Sequence, residues 1–223
     1  MMRWTGSLCP EPRRSVSLPI FEDRPSPFCL EGRSLEFQPR QALYAEGGPA
    51  DFVYQVARGC VCTFNSGEQG DRVVSGFVLR ADIFGLECSG IHQSSAEAIS
   101  ACRLIQCERR RLAERLDDDP GFAARAWPFL LEQERAVTRR LLSISHAEGA
   151  RRLLLFLQDL SDRTDGHDHV ELPMSRYDIA DYLGLSSETV SRIFTKLKLT
   201  GVISLERGAV TLLLRPGRRQ LLN

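Results

Sequence analysis

Hydrophobic positions along this 223-residue chain change their period more than once. From about Leu35 to Glu108 they form short runs punctuated by glycine: ALYAEGG, FVYQVARGCVCTF, VVSGFVL, IFGLE, AEAIS and CRLIQC. Runs of this length and spacing predict the strands of a small β-roll or barrel. Charge dominates the following ERRRLAERLDDDP, and Pro120 suits the first turn of a helix. Beyond it Ala123, Trp127, Leu130, Val137 and Leu141 recur at three- and four-residue steps, interrupted by Glu134. That stripe predicts one long amphipathic helix with a coiled-coil-like seam, although a helix packed only on its own domain would show the same period. Ala147, Ala150, Leu154, Leu157 and Leu160 mark a further helix, SDRTDGHDH reads as a loop, and VELPM as a short strand.

The stretch RYDIADYLGLSSETVSRIFTKL, Arg176 to Leu197, has the spacing of a helix-turn-helix. Ala180 falls where two helices cross closely, and Gly184 comes four residues later, where the turn requires φ > 0. Val190 lies six residues further on, inside the second helix, while Ile179, Leu183, Leu185 and Ile193 fill the remaining inward positions. Ser175 with Asp178 forms a capping pair for the first helix, and Ser186 is placed to cap the second. An αα-hairpin in any helical domain can share the apolar stripe; the joint spacing of small residue, glycine and β-branched residue favours DNA binding. VISLERGAVTLLL, two strand-like runs around Arg207 and Gly208, then predicts a wing.

Composition adds little until it is read locally. Lys plus Arg and Asp plus Glu are both 29, so net charge advertises no partner. Between Ser191 and Arg219, however, Arg192, Lys196, Lys198, Arg207, Arg215, Arg218 and Arg219 face one acid, Glu206, as a phosphate-binding surface requires. The amino-terminal MMRWTGSLCPEPRRSVSLP lacks the continuous apolar segment of a signal peptide, which predicts cytoplasmic residence and no membrane partner. Residues 1–30 read as an arm without periodic pattern. The seven cysteines, Cys9, Cys29, Cys60, Cys62, Cys88, Cys102 and Cys107, are odd in number and scattered, which argues against a disulfide framework.

The order of β-roll, long helix and winged helix-turn-helix resembles the CRP/FNR family of bacterial transcription regulators, over about residues 31 to 215. ELPMSRYDIADYLGLSSETVSR is similar to the FixK branch of that family, and DFVYQVARG with RADIFGLE resembles its roll more loosely. The expected fold is therefore α+β: an arm (1–30), a jelly-roll-type β-roll like that of cyclic-nucleotide-binding domains (31–118), a dimerisation helix (119–142) and a winged helix-turn-helix (143–215). The resemblance implies a homodimeric activator that contacts RNA polymerase and binds double-stranded DNA. Its half-sites would lie about one helical turn apart, in a TTGA-N6-TCAA-like palindrome. The branch's base-reading Glu, Ser and Arg fall on Glu188, Ser191 and Arg192. Steps of three and four put them on one helical face, where Glu accepts from cytosine N4 and Arg donates to guanine O6 and N7. A phosphate contact for Arg192, and a dipole-matched acid for Glu188, are the plainer alternatives. Ser187, Thr189 and Thr195 are further candidates for reaching DNA.

The family's roll can hold a cyclic nucleotide or a haem, and some members carry an iron–sulfur cluster. Cyclic AMP requires an Arg for its phosphate, yet the relevant turn reads SGIHQSSAEAIS, with Ser94 and Ser95; Glu87 alone would meet only a ribose hydroxyl. Cys9 and Cys29 are twenty residues apart and no CxxC exists, which disfavours a [4Fe–4S] cluster. Cys60 and Cys62 form C-x-C and share a strand face; with Cys102 and Cys107 they read as small apolar fillers rather than redox groups. The cysteine that some FixK-like proteins carry near DNA is replaced by Ser175. Of four histidines, His92 sits in the roll, His146 lies between helices, and His167 with His169 form an H-x-H beside Asp165 and Asp168, read as a solvated turn. A haem on His92 has no further support. The expectation is thus a regulator without cofactor. A ligand- or redox-gated regulator is the alternative, and a cupin-like metal enzyme the remote one, because the H-x-H lies outside the roll and no nucleophile–base motif is present.

Overall fold

The computed structural model describes residues 30–67, 71–87, 89–128, 131, 148–164, 169–206 and 209–213. They divide into two compact units. One takes in the described residues up to Asn65 together with Phe77–Ala126; the other takes in Ser66–Gly76 and the described residues from Trp127 onward.

The expected roll is present; its residues lie in the first unit except Ser66–Gly76, which cluster with the second. Its strands are β1 (Arg33–Phe37), β2 (Ala42–Tyr44), β3 (Phe52–Arg58), β4 (Val61–Ser66), β5 (Arg72–Val78), β6 (Ile83–Phe84), β7 (Ser95–Ala98) and β8 (Cys102–Glu108). Two four-stranded antiparallel sheets result, ordered β1-β8-β3-β6 and β2-β7-β4-β5. Alternating side chains of both sheets meet in one core that includes Phe37, Leu43, Tyr54, Val56, Val61, Phe84, Ala96, Ala98 and Leu104. Between β3 and β4 the chain turns at Gly59, φ 91°, where a Cβ would stand 2.4 Å from the Ala101 carbonyl oxygen. No other residue fits there.

The charge-rich ERRRLAERLDD is itself a helix, α1 (Arg109–Asp118), which buries Leu112. Residues 120–128 are helical, as Pro120 predicted. On that segment Phe122 and Ala126 are buried, whereas Trp127 is 65% exposed. Leu130, Glu134, Val137 and Leu141 of the expected seam lie outside the described residues.

The second unit contains α2 (Gly149–Arg163), α3 (Arg176–Leu183), α4 (Ser187–Leu199) and a three-stranded sheet ordered β10-β11-β9. Leu153, Leu157, Ile179, Leu183, Val190, Phe194, Ile203 and Val210 form its interior. Its strands are β9 (His169–Glu171), β10 (Ile203–Glu206) and β11 (Ala209–Leu212), so the wing hairpin pairs Glu206 with Ala209 across Arg207 and Gly208. The strand expected at VELPM starts one residue earlier and stops before Pro173, which has no N–H to give a ladder. β9 extends the wing by pairing with β11. Among the described residues no helix is long and apolar enough to cross a membrane.

Candidate nucleic-acid interface

The helix-turn-helix is built by local hydrogen bonds that its sequence spells out. Ser175 Oγ accepts from the Asp178 amide at 3.2 Å, while the Ser175 amide and hydroxyl donate to Asp178 Oδ2 at 3.0 and 2.6 Å. This reciprocal capping box satisfies donors that the first turn of α3 leaves open. The helix stops at Gly184, φ 63°, where the Leu185 amide returns to the Ala180 carbonyl at 2.9 Å. From α2, Arg152 Nη1 donates to the Leu183 carbonyl at 3.1 Å, which braces the turn. Gly149, the first residue of α2, approaches so closely that a Cβ would meet Ile193 Cδ1 at 3.2 Å.

Ser186 then caps α4, accepting from the Thr189 amide at 3.1 Å. One face of α4 buries Val190, Phe194 and Leu197. The guanidinium of Arg176 lies over the Phe194 ring, 3.2 Å from its centroid, and joins the two helices. The opposite face presents Glu188, Ser191, Arg192 and Thr195, all exposed, together with Lys196 and Lys198. Ser191 Oγ donates to the Ser187 carbonyl at 2.9 Å and Thr195 Oγ1 to the Ser191 carbonyl at 3.0 Å. Both hydroxyl protons are thereby committed to the helix, and what these side chains turn outward is lone pairs and carbon. Ser187 and Thr189 are half-buried, and Thr189 Oγ1 turns back to Ser186 Oγ at 2.7 Å. Of the six residues singled out from sequence, Glu188, Ser191, Arg192 and Thr195 therefore share one strip. Ser187 flanks it, and Thr189 belongs to the cap.

Sequence reasoning missed Arg152 and the partner of Arg176, because a long side chain's target on another helix leaves no local signature. It also missed what fills the roll beside Glu87. Glu87 Oε1 is 3.1 Å from His92 Nδ1, and Glu87 Oε2 is 3.6 Å from Arg109 Nη2. Arg109, the first residue of α1, donates further to the carbonyls of Ala50 at 2.8 Å, Gly85 at 2.6 Å and Glu87. The His92 ring stacks on Tyr44, centroids 3.5 Å apart. Burial, with Glu87 and Tyr54 nearby, drives the Tyr44 phenol far above its ordinary range and keeps it neutral. The turn does lack an arginine, yet the fold brings one to the same carboxylate from a distant helix. Its donors go to backbone oxygens.

Cys60, Cys62, Cys102 and Cys107 are buried thiols outside any disulfide, and burial pushes the Cys102 and Cys107 thiols up. Such thiols are poor nucleophiles. His169 pairs with Thr211 Oγ1 at 3.1 Å. Among the described residues no group of three His, Cys, Asp or Glu side chains is arranged to hold a metal ion. Cys9, Cys29, Cys88, His146 and His167 lie outside the described residues.

This geometry agrees with known proteins. The family model of the Crp-like helix-turn-helix domain matches residues 137–217, and that of the cyclic nucleotide-binding domain matches residues 34–119. The nitrogen fixation regulation protein FixK of Rhizobium meliloti is 37% identical over 180 residues, 81% of this chain and 82% of that protein. The transcriptional activator protein anr of Pseudomonas aeruginosa is 30% identical over 77% of this chain and 72% of its own length. The structure of FixK2 from Bradyrhizobium japonicum superposes with a TM-score of 0.77 at 30% identity, covering 83% of this chain and 94% of that one. With its roll, its capped helix-turn-helix and these relatives, the chain belongs to the CRP/FNR family of DNA-binding transcription regulators, in the FixK-like branch.

Proposed function

We propose that the protein is a cytoplasmic, homodimeric transcription activator that binds a TTGA-N6-TCAA-like palindrome and needs neither cyclic AMP nor an iron–sulfur cluster. In this reading residues 31–118 form the roll, 119–142 the dimerisation helix and 143–215 the DNA-binding domain, with residues 1–30 as an arm. RNA polymerase is the partner on the promoter, and relatives named as regulators of nitrogen fixation and as transcriptional activators support the activator role.

The observation that carries the reading is the exposed strip of Glu188, Ser191, Arg192 and Thr195 on a helix capped by Ser186 and anchored through Phe194. Arg192 gives the bidentate donor for guanine, and Glu188 the acceptor for the paired cytosine's N4. Ser191, whose proton is committed to Ser187, offers carbon and a lone pair to a neighbouring thymine. Ser187 and Thr195 reach phosphates at the edges of this strip, and Thr189 acts through the cap. Trp127 and Leu131, four residues apart and both exposed, suit a helix that pairs with a second copy.

Ligand independence rests on the roll's own contacts. Glu87, the carboxylate expected to meet a ribose, is held by His92 and Arg109, and Arg109 is committed to the Ala50, Gly85 and Glu87 carbonyls. A nucleotide phosphate would have to displace those bonds.

The test is fluorescence anisotropy of the purified protein on the labelled palindrome at stated salt, with and without cyclic AMP. Tight binding that added nucleotide leaves unchanged is expected, with affinity falling steeply as salt rises. Binding that requires the nucleotide would replace this reading with a ligand-gated one.

A further inference from the structure

The second unit includes the hairpin segment Ser66–Gly76, and its Arg72 makes an ion pair that neither base reading nor the roll's interior accounts for. Arg72 Nη1 lies 3.5 Å from Asp178 Oδ1, with the two side chains 26% and 7% exposed. Asp178 is the acid of the α3 capping box, and its Oδ2 already accepts from the Ser175 amide and hydroxyl. The two oxygens thus do different work: one closes the cap and the other faces a guanidinium.

A carboxylate this buried needs compensation for its charge, and two cap donors with the positive end of α3 supply only part of it. The surroundings make the need greater. Asp71 and Asp181 stand nearby; burial raises the Asp181 carboxyl, Arg72 opposes that rise, and Asp178 and Asp71 add to it. Arg72 is a cation beside three acids, Asp71, Asp178 and Asp181, near the start of the first helix of the DNA reader. That start also carries Arg176, whose guanidinium stacks on Phe194 of α4.

We propose that Arg72 is a positioning residue for DNA binding. Through Asp178 it fixes the first turn of α3, and through the Arg176–Phe194 stack it sets α4 for the major groove.

The test compares full-length wild type, Arg72→Ala, Arg72→Lys, Asp178→Asn and the Arg72→Ala/Asp178→Asn double variant. It reads affinity for the palindrome and hydrogen exchange of the Asp178 amide, which donates to Ser175 Oγ. Arg72→Ala should weaken DNA binding roughly tenfold, as for loss of one partner of a largely desolvated pair, and speed that exchange. Arg72→Lys should recover most of the affinity, and Arg72→Ala should add little in the Asp178→Asn background. The affinity arm rests on the proposed palindrome, whereas the exchange arm does not and fails separately. Equal losses in both Asp178 backgrounds, with exchange unchanged and the salt slope lowered by about one, would identify a direct phosphate contact and overturn the proposal. Should Asp178→Asn fail to fold, Arg72→Lys decides: a loss equal to that of Arg72→Ala contradicts the ion-pair role.

Discussion

Arg176 and Phe194 hold the two helices of the DNA reader together: the guanidinium lies 3.2 Å from the ring centroid, and Phe194 is 2% exposed. Burial lowers the affinity of Arg176 for its proton, and the Phe194 ring face offers the guanidinium electrostatic compensation. Phe194→Leu keeps an apolar filler but removes the ring. Its expected cost is about 1–3 kcal/mol of stability, read as a lower urea midpoint at unchanged slope. A midpoint equal to wild type would mean that the stack contributes nothing.

Two of the hydroxyl residues at the start of α4, Ser186 and Thr189, separate stability from base reading. Ser186→Ala removes the acceptor for the Thr189 amide and should lower stability by about 1 kcal/mol. Thr189→Ala removes a hydroxyl bound to Ser186. Competition binding should then show the same preference for TTGA over altered half-sites as wild type. A changed preference would return Thr189 to the base-reading set.

Gly184 sits at φ 63° with no atom closer than Arg152 Nη1, 3.8 Å, to the place a Cβ would take. Space is not the constraint there; the backbone is. Gly184→Ala should therefore cost about 1–2 kcal/mol from conformation alone, and thermal unfolding would show it as a lower midpoint with DNA specificity intact. A larger loss would mean that the turn rearranges.

Cys102 donates its Sγ–H to the carbonyls of Cys60 at 3.1 Å and Ser100 at 3.2 Å, and burial raises its thiol. The folded chain thus keeps a proton that the unfolded chain releases near pH 8.5. The resulting stability is complete below that pH and is lost as pH rises through the higher folded value. Urea midpoints should fall between neutral pH and about pH 10, and Cys102→Ala should flatten part of that fall. A midpoint independent of pH in wild type would contradict the burial of a protonated thiol.

What could be read from sequence was local. The Ser175–Asp178 box, the Ser186 cap and the left-handed Gly184 all act within four residues, so their spacing along the chain is their geometry in space. Strand runs of the roll were legible for the same reason. Their partners were not: β1 pairs with β8, Leu35 opposite Leu104, and nothing near either run encodes that register. Arg109 shows the limit most clearly. In ERRRLAERL it looks like one more solvated charge, yet the fold turns it onto Gly85, Glu87 and Ala50. The turn expected to carry an arginine has none, and one from another element pairs with Glu87 instead, a contact that nothing in either run encodes. Arg72 is alike, since its partner Asp178 lies more than a hundred residues away in sequence.

In the proposed function Arg192, aided by Glu188, reads the G·C pair of the half-site. The most direct test of this reading is competition anisotropy of wild type and Arg192→Ala on TTGA-N6-TCAA and on the same duplex with that G·C pair changed to A·T in both half-sites. Wild type should prefer the G·C duplex by about 1–3 kcal/mol for each half-site, and Arg192→Ala should lose that preference. If Arg192→Ala weakens binding to both duplexes equally and keeps the wild-type preference, Arg192 touches phosphate and the assignment is wrong.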